Sequence, residues 1–191
     1  IGGSLELLAS KLTPNIDAEF TSAVTDALTQ NKLTVAEGAQ LNGTPVHPLR
    51  VIHELQKIIT ADTHIALDVG SNYIWMNRYY GAEYARQVLV SNGQQTLGVA
   101  LPWAIATSLI YPDKRIISVS GDGGFLFSAM ELETAKRLGV KFIHLIWDSA
   151  SYDMVSFQEA AHYAGDTAGV ELGHYDVVAY AEAFGCKGYS I

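Results

Sequence analysis

The chain has 191 residues, 49% of them hydrophobic, enough for one α/β domain around a buried sheet together with a remnant of a neighbouring domain. Twelve Lys and Arg against twenty Asp and Glu leave a net charge of -8, which argues against nucleic acid or an anionic membrane surface as a partner. Any bound anion must be held locally.

Cys186 stands alone, so no intrachain disulfide forms, and no Cys/His cluster has zinc spacing; a reducing, cytoplasmic setting is expected. The longest apolar run, Val99 to Ile110, is interrupted by Pro102 and is too short to span a bilayer. No basic region followed by an apolar core opens the chain, so no signal peptide is expected. The chain begins at Ile1 without Met and stops at Ile191 within what reads as a strand, so it is expected to be a piece of a longer polypeptide.

Residues 1–42 carry helix-like apolar spacing, as in Leu5, Leu7, Leu8 and Leu12, with Asp17 to Leu28 a second amphipathic stretch. Asn42-Gly43-Thr44-Pro45 is a turn cluster and marks a boundary; His47-Pro48-Leu49 then opens a helix running to about Thr60. Short β-branched or aromatic runs follow at His64 to Leu67, Gln87 to Val90, Arg115 to Val119 and Lys141 to Trp147. Helical patterns lie between and after them, at 93–110, 124–138, 152–163 and 176–184. This alternation predicts an α/β fold, a doubly wound parallel sheet with helices on both faces.

In such sheets ligands sit outside the carboxyl ends of the strands. Asp68-Val69-Gly70-Ser71-Asn72 follows the first strand, Ser91-Asn92-Gly93-Gln94-Gln95 the second, Ser120-Gly121-Asp122-Gly123-Gly124 the third and Asp148-Ser149-Ala150-Ser151 the fourth. Four polar loops are therefore expected on one solvent-facing rim. Glycines let the backbone turn sharply and approach a ligand, and a carboxylate at such a turn can face a divalent cation that neutralises a diphosphate. Gly-Asp-Gly is equally an ordinary β-to-α turn. Its distance to the next loop is more telling: 25 residues separate Gly123 from Ser149, enough for a helix and a return strand that bring both loops to one ion.

With these motifs the sequence resembles the thiamine-diphosphate (ThDP)-dependent decarboxylases and carboligases, whose signature is Gly-Asp-Gly, some 25 residues, then an Asn pair. Longer phrases are similar to the catabolic acetolactate synthases within that family. They include His47-Pro48-Leu49-Arg50, Asp68-Val69-Gly70-Ser71, Ser91 to Ile105, Ser118 to Leu126, Met130 to Ala135 and Tyr152-Asp153-Met154-Val155, so the likeness covers roughly residue 40 onward. The resemblance implies a ThDP-binding fold in residues 43–191, with 1–42 the tail of a central domain and linker. It implies a homo-oligomer, dimer or tetramer, in which other domains and subunits complete the site. Two pyruvates would become 2-acetolactate and CO2, with ThDP and Mg2+ as cofactors and no FAD.

The resemblance also assigns roles. Asp122 is to bind Mg2+ together with Ser149, through its side chain, and Ser151, through its backbone carbonyl; Asp148-Ser149 replaces the family's Asn pair, so Asp148 is the alternative ligand. Gly70, Ser71 and Asn72 form a diphosphate turn, and Gly121, Asp122, Gly123, Gly124, Ser151, Tyr152 and Met154 also contact the cofactor. Gln95, Thr96 and Leu97 cradle the pyrimidine, Leu97 acting as the fulcrum that bends ThDP so that its amino group meets the reactive carbon. Gln158 stands where the flavin-containing relatives carry Trp, and so faces a second pyruvate. Read from the residues alone, Ser71 and Asn72 could be helix caps, Leu97 a helix core residue and Gln158 a solvated glutamine. His144, inside an apolar strand, reads as a satisfied core histidine, and Glu131 and Glu133 as structural. The rival readings are another ThDP-dependent 2-keto acid decarboxylase and a non-catalytic nucleotide-binding module; the chain has neither Gly-x-x-x-x-Gly-Lys-Ser/Thr nor Gly-x-Gly-x-x-Gly.

Overall fold

The β-branched runs form the centre of the molecule. In the computed structural model, which describes residues 2–13 and 17–191, they are β1 (Thr63–Leu67), β2 (Val88–Val90), β3 (Arg115–Gly121) and β4 (Ile143–Trp147). All pair in parallel, in the order β2-β1-β3-β4. The chain steps from β1 outward to β2, then returns across β1 to place β3 on its other side. The strand order thus reverses between β1 and β3, and their carboxyl ends open a crevice there.

Helices cover both faces, as the alternation requires. Ile65, Leu67, Ile117 and Val119 point to one face, where they pack on Ile52 and Leu55 of α3 (Pro48–Ile58), Met76 of α4 (Ser71–Tyr79) and Val35 of α2 (Ala18–Glu37). Ala66 and Ile116 point to the other, against Ala104 of α5 (Ala100–Ile110). Leu101, Phe125, Ala129 and Leu132 continue that second layer under α6 (Asp122–Leu126), α7 (Glu131–Leu138) and α9 (Val177–Ala183), with Tyr180 and Phe184 against them. The interior side chains are sealed, Ile52 and Ile65 fully, each contributing about 1.5–3 kcal/mol of apolar burial.

Local chemistry fixes the ends of these helices. His47 caps α3 by accepting the Leu49 amide on Nδ1 at 3.1 Å, and Pro48 supplies the first helical position. Asp17 accepts the Phe20 amide and starts α2, which runs on well past the amphipathic stretch expected to end at Leu28. α1 (Gly2–Lys11) buries none of its residues, and Leu5, Leu7, Leu8 and Leu12 are exposed. Ile1 and residues 14–16 of the expected helical stretch lie outside the described residues. α8 (Asp153–His162) lies just after the β4 loop.

Two helix expectations need correction. The pattern at 93–110 begins to be helical only at Ala100; Gly98 (φ 79°) and Gln95 (φ 50°) adopt left-handed backbone that no helix accommodates, so Leu97 belongs to a loop. The pattern at 124–138 divides into α6 and α7. Phe127, Ser128 and Glu131 there donate three residues back rather than four, a tightened turn that re-aims the chain.

Candidate functional site

The crevice is lined by Val69, Gly70, Ser71 and Asn72 after β1, Gly121 to Gly124 after β3, and Trp147, Ser149 and Ser151 to Val155 after β4, with Leu97 closing one side. Three loops therefore meet. The fourth reaches them only through Leu97: Gln95 and Thr96 are exposed and outside the crevice. Gln158 is also exposed and outside it, one helical turn beyond Met154 on α8. Val69, Trp147, Asp153 and Val155 also line the crevice, although the sequence motifs gave them no role there.

Asp122 departs most from expectation. It is 2% exposed, not on a solvent-facing rim. Its Oδ1 accepts the Gly123 amide at 2.9 Å, and its Oδ2 is buried with no hydrogen-bond partner among the described residues. Burial holds its carboxyl above the usual carboxylate range against the Gly123 amide, and the carboxylate of Asp148 adds to the rise. A buried acceptor without a donor is costly unless a cation or proton meets it. Tyr175, some fifty residues away and invisible to motif reading, donates its hydroxyl to the Asp122 carbonyl at 3.2 Å. Burial and the nearby carboxylates push that phenol up to about 12.

The β4 loop is held by the chain that follows it. Tyr152 donates its amide to Val170 O at 2.8 Å, Leu172 donates to Ala150 O at 2.9 Å, and Ser151 bridges Glu171. Within the loop, Ser149 Oγ donates to Ser151 O at 3.2 Å and Asp148 Oδ1 accepts the Ala150 amide at 3.1 Å. Ser149 Oγ and Ser151 O, the two oxygens expected on a metal, are thus side by side. Among the described residues no three His, Cys, Asp or Glu side chains gather as a metal-binding group, so hydroxyl, carbonyl or ligand oxygens must complete any cation's shell.

Asn72 is buried, and its amide nitrogen is already used: it donates to Asp68 O at 3.1 Å and Val119 O at 3.5 Å, tying the ends of β1 and β3 together. Its Oδ1 has no partner among the described residues and lies 2.7 Å from where a Cβ on Gly70 would stand. Gly70, at φ 141°, is therefore fixed by backbone and by space. An anion would be met here by the backbone amides that open α4, not by the Asn72 side chain.

Asp68 organises the Leu97 side. Its buried carboxylate accepts the Gly98 amide at 3.1 and 3.0 Å and that of Val69 at 2.9 Å. Burial raises its proton affinity, and the Gly98, Val99 and Ala100 amides oppose the rise. Close packing excludes larger residues opposite: a Cβ on Gly124 would lie 2.9 Å from Asp68 Oδ2, and one on Gly123 would lie 2.6 Å from the Tyr152 ring. His144 is the satisfied core histidine expected. It bonds Ser118 Oγ at 2.6 Å and Ser120 Oγ at 3.0 Å, and burial lowers its pKa to about 4.

This geometry sits within a chain of known relatives. The family described as thiamine pyrophosphate enzyme, C-terminal TPP binding domain, matches residues 68–191. Catabolic acetolactate synthase of Raoultella terrigena is 45% identical over 193 residues, covering 100% of this chain and 34% of that protein. Acetolactate synthase of Bacillus subtilis (strain 168) is 43% identical over 180 residues, 92% of this chain and 31% of that protein. A more distant relative, pyruvate oxidase of Lactiplantibacillus plantarum, is 24% identical over 77% of this chain. The chain spans about a third of the length of the two acetolactate synthases. With its parallel sheet, its crevice between β1 and β3 and this match across all the crevice loops, the chain belongs to the thiamine pyrophosphate enzymes and carries their C-terminal TPP-binding domain.

Proposed function

We propose that the crevice holds Mg2+ and the diphosphate of ThDP, and that the longer protein converts two pyruvates into 2-acetolactate and CO2 without a flavin. The observation that carries this reading is Asp122 Oδ2, a buried carboxylate oxygen without a partner among the described residues, at the switch point of a TPP-binding sheet. It suits a hard cation. The likeness to two acetolactate synthases over nearly the whole chain supports the choice of reaction over simple decarboxylation, and the family match speaks against a nucleotide-binding module.

When bound, ThDP supplies a nucleophilic carbon and an electron sink for the charge left by departing CO2. The chain's own part is charge neutralisation and positioning. Asp122 and the Ser151 carbonyl face the cation, with Ser149 or Asp148 beside them. The amides at Gly70, Ser71 and Asn72 receive phosphate oxygens, and Gly121, Gly123 and Gly124 let them come close. Tyr152 and Met154 form the outer wall, and Leu97 stands where it can set the bend of the cofactor. Gln95 and Thr96 extend from the same loop toward the pyrimidine side, where a neighbouring domain would meet them. Gln158 continues the face of Met154 toward the second pyruvate.

The carboxylate that activates the aminopyrimidine belongs to another domain, across a subunit interface. The test uses the full-length protein with pyruvate, ThDP and Mg2+, followed by acid conversion of acetolactate to acetoin and colorimetric detection. Acetoin should form with the full-length protein and not with residues 1–191 alone. Acetaldehyde in place of acetoin would contradict the reaction.

A further inference from the structure

We propose that Tyr175 is a positioning residue of the cation site: its hydroxyl, bonded to the Asp122 carbonyl, sets the aim of the Asp122 carboxylate. The proposal rests on reading the crevice as a cation and diphosphate site.

One peptide plane links the two groups. The Asp122 carbonyl and the Gly123 amide belong to the same rigid unit, so they tip together. At one end Tyr175 donates its hydroxyl to the carbonyl at 3.2 Å; at the other, Asp122 Oδ1 accepts the amide at 2.9 Å. Turning that plane breaks the bond to Oδ1 or drags the carboxylate with it, and Oδ2, the oxygen without a partner among the described residues, leaves its place. The segment itself offers little resistance. α6 is five residues long, hardly more than one helical turn, and the two residues after Asp122 are glycines with wide backbone freedom.

The other end of the bond is anchored. The Tyr175 ring packs against the layer of Leu101, Phe125, Ala129 and Leu132. Asp176, the next residue, caps α9 by accepting the Ala179 amide at 2.9 Å, and Tyr180 of that helix stands edge-on to Phe125 with ring centres 6.0 Å apart. The same stretch of chain holds the β4 loop, through the Tyr152 amide on the Val170 carbonyl and the Leu172 amide on the Ala150 carbonyl. Residues 170–175 therefore tie the loop of Asp122 to the loop of Ser149 and Ser151. Tyr175 is not among the residues that line the crevice, so it acts through Asp122 and not on the ligand.

The experiment is a titration of Mn2+ into the metal-free full-length protein at fixed ThDP, with free Mn2+ followed by electron paramagnetic resonance, for wild type, Tyr175→Phe, Tyr180→Phe and Asp122→Ala. Tyr175→Phe keeps the ring in its packing and removes only the bond; it should weaken Mn2+ by about tenfold or more, as loss of a group that orients a ligand does. Tyr180→Phe removes a hydroxyl that takes no part in these bonds from the same cluster, and should change Mn2+ affinity by less than about twofold. Melting of the metal-free protein separates positioning from folding, and both Phe variants should melt close to wild type. Tyr175→Phe binding Mn2+ like wild type, or no more weakly than Tyr180→Phe, would overturn the positioning role, while weak binding by Asp122→Ala would uphold the site. A large fall in melting temperature for Tyr175→Phe would mark the hydroxyl as a fold contact and overturn the role too. Asp122→Ala binding Mn2+ like wild type would overturn the cation site and this role with it.

Discussion

The carboxylate of Asp68 and the amide of Gly98 meet at 3.1 and 3.0 Å, so a residue at the end of β1 fixes the turn that leads into α5. Leu97 is held over the crevice by this bond across thirty residues. Asp68→Ala should cost about 3 kcal/mol, since buried amides lose their acceptor, whereas Asp68→Asn keeps one oxygen and should cost about 1–2 kcal/mol. Urea unfolding gives both values. Both variants should also weaken ThDP, and Asp68→Ala with unchanged stability would contradict the role.

Gly123 is required by the Tyr152 ring, whose Cε1 and Cδ1 would stand 2.6 and 2.7 Å from an added Cβ. Gly123→Ala should therefore destabilise by about 1–3 kcal/mol and push the Tyr152 to Met154 wall outward, weakening ThDP. Removing the ring relieves the clash, so Gly123→Ala combined with Tyr152→Ala should cost less than the sum of the two changes. Additive costs would show that the two residues do not press on each other.

His144 makes stability depend on pH. Its folded pKa of about 4 lies below the ordinary value of 6.5, so the unfolded chain takes up protons first as pH falls. Its contribution is complete above pH 6.5 and is lost as pH falls toward 4. Between pH 7 and pH 5 the loss should be about 2 kcal/mol, which His144→Gln should largely remove. Equal pH slopes for the two proteins in urea unfolding would contradict the assignment.

Gln158 carries the specificity part of the proposal. In the full-length enzyme Gln158→Trp should shift acceptor choice from pyruvate toward 2-ketobutyrate, because a large apolar wall replaces an amide. Competition between the two keto acids measures this. An unchanged product ratio at normal turnover would place Gln158 outside the acceptor pocket.

The sheet was legible because its strands are short β-branched runs, and Thr63–Leu67, Val88–Val90, Arg115–Gly121 and Ile143–Trp147 fall within two residues of expectation. Loops set by distant groups were not. The apolar pattern expected for α5 extends back to 93, although Gly93-Gln94-Gln95-Thr96-Leu97-Gly98-Val99 has only Leu97 and Val99 to carry it, and the acceptor that fixes their turn is Asp68, far back in the chain. The break between α6 and α7 has no Gly or Pro at 127–130 to announce it. The glycines and Asp122 could be placed at one site from spacing, whereas their surroundings could not: Tyr175, which bonds the Asp122 carbonyl, and Tyr152 and Leu172, which pack against Gly123, come from later in the chain. The exposed positions of Gln95, Thr96 and Gln158 are not encoded in motifs.

Binding of cation and diphosphate through Asp122 can be read by calorimetry. The full-length protein and its Asp122→Ala variant would be titrated with ThDP, with and without Mg2+, and separately with ATP and NAD. Wild type should bind ThDP in a Mg2+-dependent way, the variant should lose about a hundredfold or more with its fold retained, and neither should bind ATP or NAD with comparable affinity. Asp122→Ala binding ThDP as tightly as wild type in Mg2+ would contradict binding through Asp122.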